Sequence, residues 1–208
     1  MAQHPHSKRH LPEDEAARRR WQHPESILEG VGLKPGSTFI DVGCGEGFFA
    51  LPAARMVGPH GRVCGIDIDA EALDLLQEKA FREGFDNVVL HKGMAEEIVL
   101  CKGCADIVFF GIDLHDFVDP VQVLRNANRM VSGSGVIVDV DWKKEPLPLG
   151  PPTAKKFSLE YAAALMVEAG LRVTAVAESG PYHYTVTAVP EDKKGELGVT
   201  SGIQCRRS

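Results

Sequence analysis

Between residues 37 and 142, short runs of β-branched and aromatic residues alternate with stretches whose apolar positions recur at helical spacing. The runs are Thr38–Val42, Val63–Ile66, Val88–Leu90, Ile107–Phe110 and Val136–Val140. Each is almost continuously apolar, the pattern of parallel strands covered on both faces. Between them Leu73, Leu76 and Ala80 fall on one helical face, as do Val123, Leu124, Ala127 and Val131. Asp69 and Asp119 stand where N-caps belong, and Pro120 suits a first helical turn. Repeated strand–helix alternation specifies an α/β doubly wound, Rossmann-like sheet with right-handed crossovers. A helix over residues 46–57 would carry Pro52 inside it, which predicts a lost hydrogen bond and a kink.

The pattern changes after residue 142. Residues 143–157 are rich in proline and predict an irregular connection. Ser158 then caps a helix with Leu159, Ala162, Ala163 and Met166 on its apolar face, ended by Gly170. Leu171–Ala177 and Tyr182–Val189 are separated only by Glu178-Ser179-Gly180-Pro181, which predicts an antiparallel hairpin. The chain divides into a partly disordered N-terminal extension (1–22), one domain (23–190) and a polar C-terminal tail (191–208).

The sharpest local feature is Asp41-Val42-Gly43-Cys44-Gly45-Glu46-Gly47, which ends the first strand and opens the next helical stretch. Open α/β sheets bind ligands beyond the carboxyl ends of their strands, and glycines there let backbone approach a ligand closely. The spacing is G-x-G-x-G, not the G-x-G-x-x-G of dinucleotide binders, and the Lys-Ser/Thr of a phosphate loop is absent. Asp41, ahead of the glycines, would repel a pyrophosphate but suits a cationic amino-acid group. Asp67, ending the second strand, is placed to accept hydrogen bonds from both hydroxyls of a ribose.

On these residues the chain resembles the class I S-adenosylmethionine-dependent methyltransferases over residues 24–189, and is similar to the branch related to ubiquinone/menaquinone-biosynthesis and arsenite methyltransferases. The stretch Asp141-Trp142-Lys143-Lys144-Glu145-Pro146 through Gly150-Pro151-Pro152 resembles a small subgroup of that branch. The resemblance implies a seven-stranded sheet of order 3-2-1-4-5-7-6 with the last strand antiparallel. It implies S-adenosylmethionine as cofactor and S-adenosylhomocysteine as product. Asp41, Gly43, Cys44 and Gly45 would line the methionine part, Asp67 would hold the ribose and Ile68 would pack on adenine. Gly93, Met94 and Ala95 would border the adenine edge, where the family commonly has an acidic residue in place of Met94. Gly111 would lie near the reacting methyl. The implied activity is methyl transfer to a small-molecule acceptor. A nicotinamide-dependent oxidoreductase and a non-catalytic S-adenosylmethionine-binding protein are the alternatives.

Acceptor-pocket candidates lie past the fourth and fifth strands: Asp113, His115, Asp116, Trp142 and Lys143. His115 is the candidate base, because an imidazole titrates near neutrality; a structural role in the Asp113–Asp119 loop is the competing reading. Trp142 either stacks on an acceptor or fills the core. Tyr182 and Tyr184 read as core residues, with His183 on the opposite face. Trp21 and Gln22 either close over the cofactor or sit on plain surface. Cys101-Lys102-Gly103-Cys104 has the form of a metal or redox pair, but it precedes the fourth strand and so falls at the edge opposite the binding site. No second pair completes a zinc site, so no metal is expected. Cys64 reads as a small apolar residue within a buried strand, and Cys44 as the one thiol near the cofactor.

Charge and cysteine usage narrow the setting. A formal net charge of −6 argues against nucleic-acid partners. No apolar run approaches the ~20 residues that span a bilayer. The N-terminus lacks the apolar core of a secretory signal, and Glu13, Asp14 and Glu15 offset the Arg18-Arg19-Arg20 run. Five cysteines without a regular framework fit a reducing, cytoplasmic compartment. Monomer and homodimer remain equally open.

Overall fold

The structure, a computed structural model, describes residues 15–191. Two short helices, α1 (Glu15–Arg19) and α2 (Pro24–Gly30), lead into β1 (Thr38–Val42). Then come α3 (Ala50–Val57), β2 (Arg62–Asp67), α4 (Ala70–Arg82), β3 (Val88–Lys92), β4 (Ala105–Gly111), a 3-10 turn at Leu114–Asp116 and α5 (Pro120–Met130). The chain ends with β5 (Val131–Trp142), α6 (Leu159–Glu168), β6 (Leu171–Ser179) and β7 (His183–Pro190). The sheet order is β3-β2-β1-β4-β5-β7-β6. Its first five strands pair in parallel, and β7 runs antiparallel to both of its neighbours.

Two apolar layers sandwich the sheet, as the continuous apolar strands require. On one side Ile40, Ile66, Val108, Phe110 and Ile137 pack against α5 and α6. On the other Phe39, Val63, Phe109, Val138 and Val140 pack against α2, α3 and α4. Asp69 caps α4 by accepting from Glu71 and Ala72 N–H, and Asp119 caps α5 by accepting from Gln122 N–H. Ser158 does the same for α6 through Tyr161 N–H, and Gly170 follows its end at φ +77°. Residues 143–157 form only bends and turns.

Three details differ from the sequence expectation. The helix drawn over 46–57 begins only at Ala50, because residues 43–49 are consumed by turns, with Gly47 N–H donating to Cys44 O. Pro52 therefore falls in the first helical turn, and its missing N–H leaves the expected gap between the bonds of Leu51 N–H to Gly47 O and Ala53 N–H to Phe49 O. Val131 opens β5 instead of closing the α5 face, and an irregularity between Ala105 and Ile107 on β4 absorbs the extra residues Ser132–Gly135. As expected, His183 and Tyr184 lie on opposite faces, and both are buried, His183 beneath Trp21 and Tyr184 in the layer that contains α6. Tyr182 lies on the Trp21 side rather than in the core. The expected extension is packed from residue 15 onward, with Arg18 and Gln22 buried; residues 1–14 and 192–208 of the expected extension and tail lie outside the described residues.

Candidate functional site

The glycine turn is built from left-handed backbone. Gly43, Gly45 and Gly47 have φ of +73°, +50° and +92°. Gly43 and Cys44 N–H both donate to Ile66 O, at 2.8 and 3.1 Å, which ties the turn to β2. A Cβ at Gly43 would lie 1.9 Å from Asp113 Oδ2, so only glycine fits. Asp67 closes the arrangement from the next strand. Its Oδ2 accepts from Gly45 N–H at 2.7 Å and its Oδ1 from Asp69 N–H at 2.9 Å. One carboxylate thus fixes both the glycine turn and the start of α4, a role that spacing alone did not reveal.

Around that turn, Asp41 is buried with its Oδ2 unpartnered. Burial and the nearby Asp67 charge push its pKa up to about 8, against the opposing effects of Arg18 and the Ala50 N–H. Ile68 stands half-exposed just beyond Asp67. Gly93 N–H donates to Asp67 O, Met94 is half-buried and Ala95 buried. Asn126 of α5 donates to Ala95 O and Glu96 O at 2.9 and 2.7 Å, which pins this loop. Cys44 departs from expectation: its sulfur lies 2.7 Å from where a Gly65 Cβ would be, packed into the sheet rather than toward the open side of the turn. Burial and the charges of Asp41, Asp67 and Asp113 push this thiol up, so it stays protonated.

The other half of the site follows β4. Gly111 lies under the Phe49 ring, where a Cβ would come within 2.6 Å. Ile112 has φ +72°, the one non-glycine residue in the left-handed region among the described residues. For a β-branched side chain that conformation costs about 1–3 kcal/mol. Its N–H donates to Val140 O at 2.8 Å, which holds the turn against β5. The strained turn aims Asp113 back at Gly43, with both carboxyl oxygens buried and unpartnered. Burial, followed by the charges of Asp41, Asp141, Asp139 and Asp67, raises the Asp113 pKa well above the usual carboxylate range.

Asp139 and Asp141 share one face of β5. Both oxygens of Asp139 are unpartnered, and burial with the Asp141 charge pushes its pKa well up. Asp141 is fully engaged: Oδ1 accepts from Trp142 N–H at 2.7 Å, and Oδ2 lies 2.8 Å from His115 Nδ1. Burial disfavours a charged His115, but the Asp141 hydrogen bond and charge, aided by Asp116, outweigh it and raise its pKa. Cross-strand from Asp141, Tyr184 is buried with its hydroxyl unpartnered.

Trp142 points to the opposite face and is buried at the centre of an aromatic group. His183 lies 4.4 Å and Trp21 5.5 Å from it, centroid to centroid, with the Lys156 Nζ 5.7 Å from its ring. Trp21 and Gln22 are therefore not plain surface. Arg18 sits 3.7 Å over the Phe48 ring and donates to Gln22 Oε1. Burial and the positive charges of Arg18, Lys143 and Lys156 push His183 down to about 3, so it is neutral. Of the remaining candidates, Asp116 is exposed, and Lys143 pairs with Glu178 at 3.0 Å, away from the carboxylates. Cys101 and Cys104 form a disulfide just before β4, at the amino edge of the sheet. Among the described residues no group of three His, Cys, Asp or Glu is arranged to hold a metal ion. None of their helices is long and apolar enough to cross a membrane.

The structure thus gathers Asp41, Gly43, Asp67 and Asp113 across the β1–β4 crevice. His115, Asp139 and Asp141 lie beside them. Asp139, Arg18, Asn126 and Lys156 were not singled out from the sequence. A usable signal existed for Asp139: two aspartates at period 2 in an otherwise apolar strand must share a face. For the other three no local pattern exists.

The methyltransferase domain family model matches residues 33–183. A demethylmenaquinone methyltransferase from Staphylococcus aureus is 29% identical over 123 residues, 59% of this chain and 50% of its own length. The chain spans about half the length of such curated relatives. A solved S-adenosylmethionine-dependent methyltransferase from Aquifex aeolicus superposes with a TM-score of 0.79 at 31% identity, covering 85% of this chain and 98% of that one. An arsenic(III) S-adenosylmethionine methyltransferase from Chlamydomonas reinhardtii, with a TM-score of 0.63 at 21% identity over 80% of this chain and 67% of that one, shares the fold.

Proposed function

We propose that this chain, which belongs to the class I S-adenosylmethionine-dependent methyltransferase family, transfers a methyl group from S-adenosylmethionine to a small-molecule acceptor. The observation that carries the reading is the excess of buried carboxylate around a Cβ-free turn. Buried Asp41 and the carboxyl of Asp113 flank Gly43, with half-buried Asp67 on Gly45 N–H beside them, and Asp41 Oδ2 and both Asp113 oxygens lack partners. Such a cradle repels phosphate and suits a ligand that carries positive charge at its amino-acid end.

The residues present fit that ligand. Asp41, Gly43 and Gly45 would hold its methionine part, while Asp67, already rigid through two backbone hydrogen bonds, would hold the ribose. Ile68 offers an exposed apolar surface to the adenine, with Gly93, Met94 and Ala95 along its edge. Cys44 contributes backbone and packing rather than its thiol. Gly111 and Asp113 border the reacting methyl. Bound S-adenosylmethionine supplies a methyl already activated on a sulfonium. The chain's own task is then to orient the acceptor and exclude water, the two effects by which a fixed site accelerates an in-line displacement. The acceptor would enter past β4 and β5, beside Asp113 and His115, while Trp142 packs into the core on the opposite face. We take residues 23–190 as the functional domain and the protein as cytoplasmic from its irregular cysteine spacing, and as lacking a nucleic-acid partner from its acidic balance.

Calorimetric titration with S-adenosylmethionine tests the reading. Wild-type protein binds in the micromolar range, and Asp67→Ala weakens binding by about 100-fold or more, since the carboxylate that would hold the ribose and that anchors Gly45 N–H is lost. No binding by the wild type at millimolar ligand, or tight NADH binding in its place, overturns it.

A further inference from the structure

We infer that His115, oriented by Asp141, is the general base of the transfer, and that the methyl acceptor is a hydroxyl on an aromatic, largely apolar molecule. The inference rests on the methyltransferase reading above and adds the acceptor class and the proton path.

The geometry fixes the tautomer. Asp141 Oδ1 is taken by Trp142 N–H, so Oδ2 is left to accept the Nδ1–H of His115 at 2.8 Å. Both side chains are nearly solvent-free, at 3% and 1% exposure, so the pair is not dissolved by water. Nε2 is then the imidazole nitrogen that carries a lone pair. Its nearest charged neighbour, Asp116 Oδ1, lies 3.8 Å away, beyond hydrogen-bond reach. The groups acting on His115 are Asp141, Asp116 and Lys155, and the two carboxylates prevail. The 3-10 turn that carries His115 follows directly from the strained Ile112–Asp113 turn, which abuts Gly43. The base thereby stands beside the cofactor cradle rather than elsewhere on the fold.

The surroundings indicate the acceptor. From His115 a path of rings runs outward: Phe157 lies 6.5 Å from the imidazole, and Tyr161 4.9 Å from Phe157, both edge-on. Tyr161 is half-exposed, and Val118, in the same loop as His115, is almost fully exposed. The half-exposed ring of Tyr161, joined to the buried base through Phe157, suits an aromatic body whose hydroxyl reaches inward. In the transfer, the O–H proton passes to Nε2 while the bond from oxygen to the methyl carbon forms and the sulfur–methyl bond breaks. The sulfur keeps its electron pair and becomes neutral, and the imidazolium later releases the proton to water.

The test uses the full chain, S-adenosylmethionine, and a series of monophenols and catechols of graded acidity, with methyl ethers detected by mass spectrometry. Cofactor binding is measured first by calorimetry, so a chain that does not bind overturns the methyltransferase reading itself. A chain that binds yet methylates no phenol or catechol overturns the present inference alone. His115→Ala and His115→Gln are expected to bind cofactor within threefold of wild type and to lose about 10^2- to 10^4-fold in kcat. The loss shrinks for the most acidic phenols, which ionise without help, and the acid limb of the pH profile disappears. Independently of turnover, the NMR titration midpoint of His115 falls in Asp141→Asn. Folded His115 variants that keep wild-type rates and the acid limb overturn the assignment.

Discussion

The two halves of the site differ in how they are made. The proposed cofactor half is nearly continuous in sequence: seven residues from Asp41 to Gly47, with Asp67 delivered by the adjacent strand. The proposed acceptor half and the packing behind it draw Trp21, His115, Asp139, Trp142, Lys156 and His183 from five distant segments, of which only the one after Asp141 has a recognisable stretch of its own. The first half is rigid because backbone hydrogen bonds and left-handed glycines define it. The second is held by side-chain packing, with a strained Ile112 at the join. Within one family, then, the donor half is expected to vary little and the acceptor half to be where specificity is set.

If this contrast is correct, changes in the turn act on the cofactor and changes in the packed half act on stability and acceptor. The largest effect is expected for Gly43→Ala. It places a methyl against Asp113 Oδ2 in a backbone region that costs a non-glycine residue about 1–2 kcal/mol. Cofactor affinity should fall more than about 100-fold by calorimetry; retention within tenfold would show the turn to be less constrained than its geometry.

Asp41→Asn sharpens the comparison through pH. The folded pKa of Asp41 is raised to about 8, so between the ordinary carboxylate range and that value the native state binds more protons than the unfolded one. Stability of the ligand-free protein therefore falls as pH climbs through that window. Asp41→Asn should flatten the slope in thermal melts at pH 5.5 and 8.5, with Asp113 and Asp139 supplying the remainder. In the wild type cofactor affinity should rise over the same window, because a cation favours the ionised carboxyl. Melts with the wild-type slope in Asp41→Asn would remove Asp41 from the linkage.

The smallest effect on cofactor belongs to Trp21→Ala. Loss of the stack on His183 and Trp142 should lower the melting temperature by roughly 5–10 °C, while S-adenosylmethionine binding stays within about threefold. A larger loss of cofactor affinity would mean that the packed half also closes over the donor.

Much of this was readable in advance, for a physical reason. Apolar continuity identified buried parallel strands, and Asp69, Asp119, Pro120 and Ser158 marked helix starts because capping is local chemistry. The glycine turn and Asp67 were readable because backbone conformation and strand ends are also local. The helix start was misjudged because turns, not a helix, occupy residues 43–49, and both satisfy the same nearby apolar spacing. Tyr182 was misjudged because it precedes β7, so the alternation that places His183 and Tyr184 on opposite faces does not extend to it.

The sequence by itself determined the sheet, its order once the family resemblance was admitted, and the glycine turn with Asp67 beside it. Only the tertiary structure decided that Cys44 faces the core, that Cys101 and Cys104 pair at the far edge, and that Asp141 engages His115 while Asp139 stands unpartnered beside it. Such partnerships join residues far apart in the chain, and their energies depend on burial, which periodicity and spacing do not encode.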